Sequence, residues 1–229
     1  MKFKIHQMLE EGQAFRFIAF GSSNTQRFQP GMHWFDFVEL GFKNLCSVCG
    51  QFINSGISGN TTVDLLNRYD NELARYEPNL VVITIGGNDS NPDKNVDART
   101  YRDNLLLLHK KITTLGSEVV FQTYYGCDLE QMELSYRNAL LEYMQIIRDV
   151  GAELNCPVVD HFSRWDKLRL HDVAVYRSMM RDAMHVNPLG NMVLGLDLMD
   201  FFEVGLSEEH REYCREGLIV KSYLDSLSD

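Results

Sequence analysis

Nowhere in this chain do apolar residues run on for the roughly 20 positions that a membrane-spanning helix requires, so no membrane partner is expected. Basic residues are in the minority: 22 Lys and Arg stand against 32 Asp and Glu, a formal net charge of −10. Such a chain is repelled by a phosphate backbone, and no local basic patch offsets the repulsion, so nucleic acid is excluded as an expected partner. Cysteine is scarce, and five thiols are an odd number that cannot all pair within one chain. No internal repeat, low-complexity tract or Pro/Gly/Ser-rich linker divides the sequence, which reads as one domain over residues 1–229. Residues 1–12 mix Lys2, Lys4, Glu10 and Glu11 with apolar side chains, and the short apolar run that follows is interrupted by Arg16. No signal peptide is read there; a cytoplasmic location and reduced thiols are the expectation.

What the chain does contain is core material. Hydrophobic residues make up 45% and aromatics 11%, enough for one generous core and too much for a disordered chain. Apolar β-rich runs alternate with helical patterns. Residues 15–20 read as a first strand, and a weaker candidate surrounds Phe52-Ile53. Residues 79–85, Asn-Leu-Val-Val-Ile-Thr-Ile, form the clearest buried strand, stopped by Gly86-Gly87. Further strands are read at 119–121 and 157–159. Between them, Trp34, Phe37, Val38, Phe42 and Leu45 recur at helical steps. Leu65, Leu66, Tyr69, Leu73 and Tyr76 do the same behind a cap at Thr61 or Thr62. Helices are also expected around Leu105 to Leu108, over 134–154, after the cap-and-proline pair Asn187-Pro188, and over 208–227. Five strands alternating with helices imply a parallel sheet covered on both faces. Ligands of such sheets bind beyond the carboxyl ends of the strands, which directs attention to the turns.

Three strand-end turns and one late loop hold the unusual residues. They are Gly21-Ser22-Ser23-Asn24-Thr25, the stretch from Asn54 to Thr62 with Ser58-Gly59-Asn60-Thr61 inside it, Gly86-Gly87-Asn88-Asp89, and the loop from Asp182 to Gly190. Acyl transfer needs a hydroxyl nucleophile, a base to take its proton, and a carboxylate to hold the base. It also needs donors waiting for the oxyanion. Ser23 sits where a strand is expected to give way to a helix. Asp182 and His185 are three apart, so a turn of backbone lets the carboxylate fold onto the imidazole. Gly59 offers an unobstructed backbone N–H, and Asn88 a side-chain amide.

Together these segments resemble the four ordered blocks of the SGNH, or GDSL-type, hydrolase superfamily, over residues 15 to about 200. Gly21-Ser22-Ser23 is similar to the nucleophile block and Ser58-Gly59-Asn60-Thr61 to the oxyanion-glycine block. Gly86-Gly87-Asn88-Asp89 and Asp182-x-x-His185 match the last two. The resemblance implies a flavodoxin-like, three-layer α/β/α fold around a five-stranded parallel sheet, hydrolysis of a small-molecule acyl ester, and neither metal nor organic cofactor. It implies Ser23 as nucleophile, His185 as general base and Asp182 as its orienting acid. The oxyanion hole would be the Ser23 and Gly59 N–H groups with the Asn88 side chain. The sequence departs from the family pattern at two places: Ser22 replaces the usual Asp, and Asn24 replaces the usual Leu. Adjacent serines leave two nucleophile candidates, and alignment to Gly-x-Ser selects Ser23.

Each motif also has a plainer reading. Serines after glycine commonly make turns, which suffices for Ser22. Gly56 and Gly59 would serve if only a positive φ were needed, and Asn88 would serve as a left-handed turn residue. Asp89 reads as a loop stabiliser, and Asp182 alone as a surface carboxylate. His6, His33, His109, His161, His171 and His210 read as surface or partly buried. Cys46-x-x-Cys49 lacks the second ligand pair that zinc requires and follows a helix, so it reads as two buried thiols. Trp34, Phe35, Tyr124 and Tyr125 are candidates for an acyl or sugar pocket, although aromatics at helical spacing, such as Trp34 and Phe37, more often belong to a core. Two other functions fit the same architecture: a flavodoxin-like protein cradling phosphate or flavin on residues 21–25, and a non-catalytic carbohydrate-binding protein. The oligomeric state is not legible.

Overall fold

A computed structural model describes residues 2–45 and 50–227; Cys46 and Cys49 lie outside them. In chain order the elements are α1 (Lys4–Glu10), β1 (Arg16–Gly21), α2 (Trp34–Leu45), β2 (Gln51–Gly56), α3 (Thr62–Glu72) and β3 (Leu80–Thr84). There follow α4 (Ala98–Thr114), β4 (Glu118–Gln122), α5 (Leu134–Leu154), β5 (Val158–Val159), α6 (His161–His171) and α7 (Val173–Ser178). The chain closes with α8 (Pro188–Phe201), α9 (Glu208–Tyr213) and α10 (Arg215–Ser226). The strands form one parallel sheet in the order β2-β1-β3-β4-β5, and helices cover both of its faces.

Period-2 alternation divides the core between those faces. Phe17, Ala19, Val82 and Val120 point to one side, against Trp34, Phe35, Val38 and Phe42 of α2, Trp165 of α6 and Val193 of α8. Ile18, Phe20, Val81, Ile83 and Phe121 point to the other, against Leu65 of α3, Leu105 and Leu108 of α4, and Met144 and Ile147 of α5. Central strand β3 is buried at every position, hence its apolar run from Leu80 to Ile83 before Thr84. Edge strand β2 is only partly covered, which explains its weaker, more polar signal.

Trp34 and Phe35 are core residues of α2 and not pocket residues, as the helical spacing favoured for Trp34. His6, His33 and His161 are buried, more deeply than read. The expected helix at 208–227 is two, broken at Cys214, and α1, α6 and α7 were not anticipated. The strand before Ser23 opens into a turn, not directly into a helix, since α2 begins only at Trp34.

Candidate active site

The turn after β1 is closed by Thr25 and Gln26 N–H groups, both donating to Ser22 O at 3.0 Å. It passes so close to β2 that a Cβ on Gly56 would lie 2.2 Å from Gln26 N. Gly56 is therefore required for close approach, not for a positive φ. Within the turn the two serines part company. Ser22 is fully buried, with its Oγ 2.8 Å from the Tyr124 hydroxyl. Ser23 is half-buried and its Oγ lies 2.9 Å from His185 Nε2. The family carboxylate that Ser22 replaces is thus answered here by a buried hydroxyl pair.

His185 is carried by the loop between α7 and α8. An antiparallel bridge joins Met180 to Val186, and Arg181 N–H donates to His185 O at 2.8 Å. Behind it, Asn187 caps α8 by accepting Gly190 N–H, with Pro188 at the first helical position. His185 Nδ1 lies 2.8 and 3.1 Å from the two Asp182 oxygens. Burial acts to raise the Asp182 carboxyl, but the Met184 N–H, His185 and Arg181 hold it below the usual carboxylate range. An ionised Asp182 only accepts, so Nδ1 carries the ring hydrogen and Nε2 is left to accept from the Ser23 hydroxyl. That is the tautomer a general base needs.

Tyr125 ties these two segments together. Its hydroxyl is 2.5 Å from Asn24 Oδ1 and 2.8 Å from Met184 O, and it accepts Val186 N–H at 3.1 Å. Asn24, the second departure from the family pattern, thereby joins the serine turn to the histidine loop. Tyr125 alone of the four proposed pocket aromatics reaches the groove beside Ser23; Tyr124 lies beneath, on Ser22.

On the other flank, Gly59 is in the left-handed region, with φ of +79°. Ile57 N–H donates to Gly21 O at 3.1 Å and Ser58 N–H to Gln26 Oε1 at 2.8 Å, seating this loop against the serine turn. Asn88 Nδ2 donates to Asn60 O at 2.9 Å, so its amide adjoins Gly59. Asn88 is not left-handed; its side chain, not its backbone freedom, is what the position uses. Asp89 turns inward, its Oδ1 accepting the Thr62 N–H and hydroxyl at 2.8 and 2.6 Å. Burial pushes its carboxyl up to about 6 against those bonds. It holds the start of α3, as a loop stabiliser would.

Sequence reasoning missed Arg68. Its guanidinium reaches from α3 to Gly21 O at 2.8 Å, Ser55 O at 3.0 Å and Asn60 Oδ1 at 2.7 Å, lying 4.5 Å over the Phe20 ring. Burial lowers its pKa from the ordinary arginine value. One planar fork thus pins the ends of β1 and β2 to the Gly59 loop. Its only signal was a charged residue between Leu65 and Tyr69 on an otherwise apolar face.

The groove itself is lined by Gln26, Arg27, Phe28, Arg181 and His185 around Ser23. Among the described residues, no group of three or more His, Cys, Asp or Glu is placed to hold a metal ion. No helix among them is long and apolar enough to cross a membrane. The turn's own carbonyl engages the Thr25 and Gln26 amides, which removes them from any phosphate cradle.

A sequence profile of the GDSL-like lipase/acylhydrolase family matches residues 19–193. A relative named uncharacterized lipoprotein YqeF, from Bacillus subtilis (strain 168), is 23% identical over 224 residues, spanning 80% of this chain and 87% of its own. Among solved structures, a catalytic mutant of Axe2, an acetylxylan esterase from Geobacillus stearothermophilus, superposes with a TM-score of 0.72 at 21% identity, covering 83% of this chain and 95% of that one. The lipase/acylhydrolase from Enterococcus faecalis does so with a TM-score of 0.69 at 23% identity, covering 85% and 99%. These superpositions share the fold, and the profile covers most of the chain with all four blocks inside it. The chain belongs to the GDSL-like lipase/acylhydrolase family and is a hydrolase of its SGNH type.

Proposed function

We propose that this hydrolase is a serine esterase that cleaves a small or carbohydrate-linked acyl ester through an acyl-enzyme on Ser23. One observation carries the reading: Ser23 Oγ and His185 Nε2, 162 positions apart in sequence, lie 2.9 Å apart with Asp182 on the far side of the ring. His185 takes the hydroxyl proton as Ser23 Oγ attacks the ester carbonyl. The oxyanion is received by the Ser23 and Gly59 N–H groups and the Asn88 amide. Collapse releases the alcohol, protonated by His185, and leaves the acyl group on Ser23. Water, deprotonated by His185, attacks that ester, and the second collapse releases the acid as His185 returns the proton to Ser23 Oγ.

A carbohydrate-linked substrate is supported by the groove, where polar side chains surround an aromatic ring, Phe28, that is 74% exposed. Acetylxylan esterases of the same fold act in keeping with it. A panel of p-nitrophenyl esters of increasing chain length, run beside acetylated xylo-oligosaccharides, tests the proposal. Turnover greatest for acetyl groups, with acetate released from the sugars, is expected. Sugar binding without turnover favours the carbohydrate-binding alternative, and a preference for long acyl chains contradicts the substrate class.

A further inference from the structure

Arg181 stands immediately before Asp182, and its guanidinium grips that carboxylate. Nε lies 3.0 Å and Nη2 2.9 Å from Asp182 Oδ2. The other oxygen, Oδ1, faces His185 Nδ1 at 2.8 Å and receives Met184 N–H at 2.9 Å. The imidazole is nearer Oδ1, with Nδ1 also 3.1 Å from Oδ2, while the guanidinium donates to Oδ2 alone. The terminal torsion of an aspartate is broad, and the His185 ring and the Met184 N–H hold the carboxylate chiefly through Oδ1. Two charged N–H donors converging on Oδ2 hold it from the other side.

The guanidinium is itself held in place. Arg181 Cζ lies 5.2 Å from the centroid of the Phe28 ring on the groove wall, a cation–π arrangement. Arg181 and Asp182 N–H groups both donate to His185 O, at 2.8 and 3.3 Å, closing the loop that carries the histidine. Two of the three guanidinium nitrogens are engaged by Asp182, so the side chain turns its donors toward the acid while it lines the groove.

We propose that Arg181 is a positioning residue of the hydrolytic site, fixing the plane of Asp182 and sharing its charge, and through it aligning His185. The proposal rests on the reading that Ser23, His185 and Asp182 act together. Its electrostatic sign is defined. A cation beside Asp182 takes part of the carboxylate's field and opposes a second positive charge on the imidazole. Removing it favours the protonated base, so the acid limb of the kcat/KM profile moves to higher pH.

Other groups facing this loop do not blur that shift. Arg27 is paired with Asp36, and burial holds His33 down to about 4, neutral through an assay above pH 5. Burial raises the Tyr125 hydroxyl and the Cys127 thiol far above that range. Asp128, which packs under Ala183, is neutralised by Arg177 at 2.7 Å.

The test is steady-state hydrolysis of p-nitrophenyl acetate between pH 5 and 9 by the Arg181→Gln, Arg181→Lys, Ser23→Ala and His185→Ala proteins. Arg181→Gln is expected to lose about tenfold in kcat, to change KM less than twofold, and to move the acid limb up by roughly half a pH unit. Arg181→Lys, which keeps the charge but not the fork, is expected to keep the limb in place and recover part of kcat. It also serves if the Gln protein does not fold. An unchanged kcat and profile overturns the proposal. So does a loss confined to KM, which makes Arg181 a substrate contact. Activity retained by Ser23→Ala or His185→Ala overturns instead the triad on which the proposal rests, whatever Arg181 does.

Discussion

Ser22 and Ser23 are chemically identical and one position apart, yet the fold gives them opposite environments. Gly-x-Ser alignment singled out Ser23; the reason Ser22 is excluded was hidden, because its partner Tyr124 lies 102 positions away. Substituting Ser22→Ala leaves a buried tyrosine hydroxyl without that partner. Unfolding stability is expected to fall by about 1–3 kcal/mol while esterase activity survives; urea denaturation beside an activity assay checks both. Asp182 and His185 were legible because a spacing of three is local geometry. Arg181 and Arg68 were not, and Tyr125 was legible only as a pocket aromatic, since what they contact is set by how distant loops meet.

Helices and strands were legible in proportion to how strongly one face is buried. The long helix read over 134–154 is α5, and the apolar run read over 79–85 contains β3. By contrast, α6 hides Phe162, Trp165 and Leu168 among Arg164, Asp166, Lys167 and Arg169, and α1 is too short to display a period. Capping signals proved more durable: Asn187 and Thr61 stand at the starts of α8 and α3. Asn187 also donates to Ser178 O at 2.7 Å, bracing the loop from α7. Because α8 starts just after His185, Asn187→Ala is expected to cost about 1 kcal/mol of stability and to lower kcat more than it raises KM. Thermal unfolding and steady-state kinetics on the same preparation measure both.

At the scale of the molecule, the order β2-β1-β3-β4-β5 puts β1 between β2 and β3, so the turns carrying Ser23, Gly59 and Asn88 are neighbours. Strand order is not written in any one segment, which is why four blocks could be recognised before their meeting place could be seen. Two buried groups give the whole fold an opposed response to acid. Burial raises Asp89 to about 6, so it binds its proton more tightly when folded, and its contribution to stability falls as pH rises from about 4 to 6. Burial lowers His33 to about 4, so its contribution rises with pH between about 4 and 6.5. Asp89→Asn is therefore expected to gain stability relative to the parent protein as pH rises through that window. His33→Gln is expected to lose it, each by up to about 3 kcal/mol. Denaturant unfolding at pH 4, 5, 6 and 7 shows whether the two slopes have opposite signs.

The most direct measurement of the central claim is mass spectrometry of the folded protein after exposure to a fluorophosphonate. One adduct, mapped to Ser23, present in Ser22→Ala and absent from both Ser23→Ala and His185→Ala, is the expected result. An unmodified intact mass, or an adduct that persists when Ser23 is alanine, contradicts the assignment of Ser23 as the nucleophile.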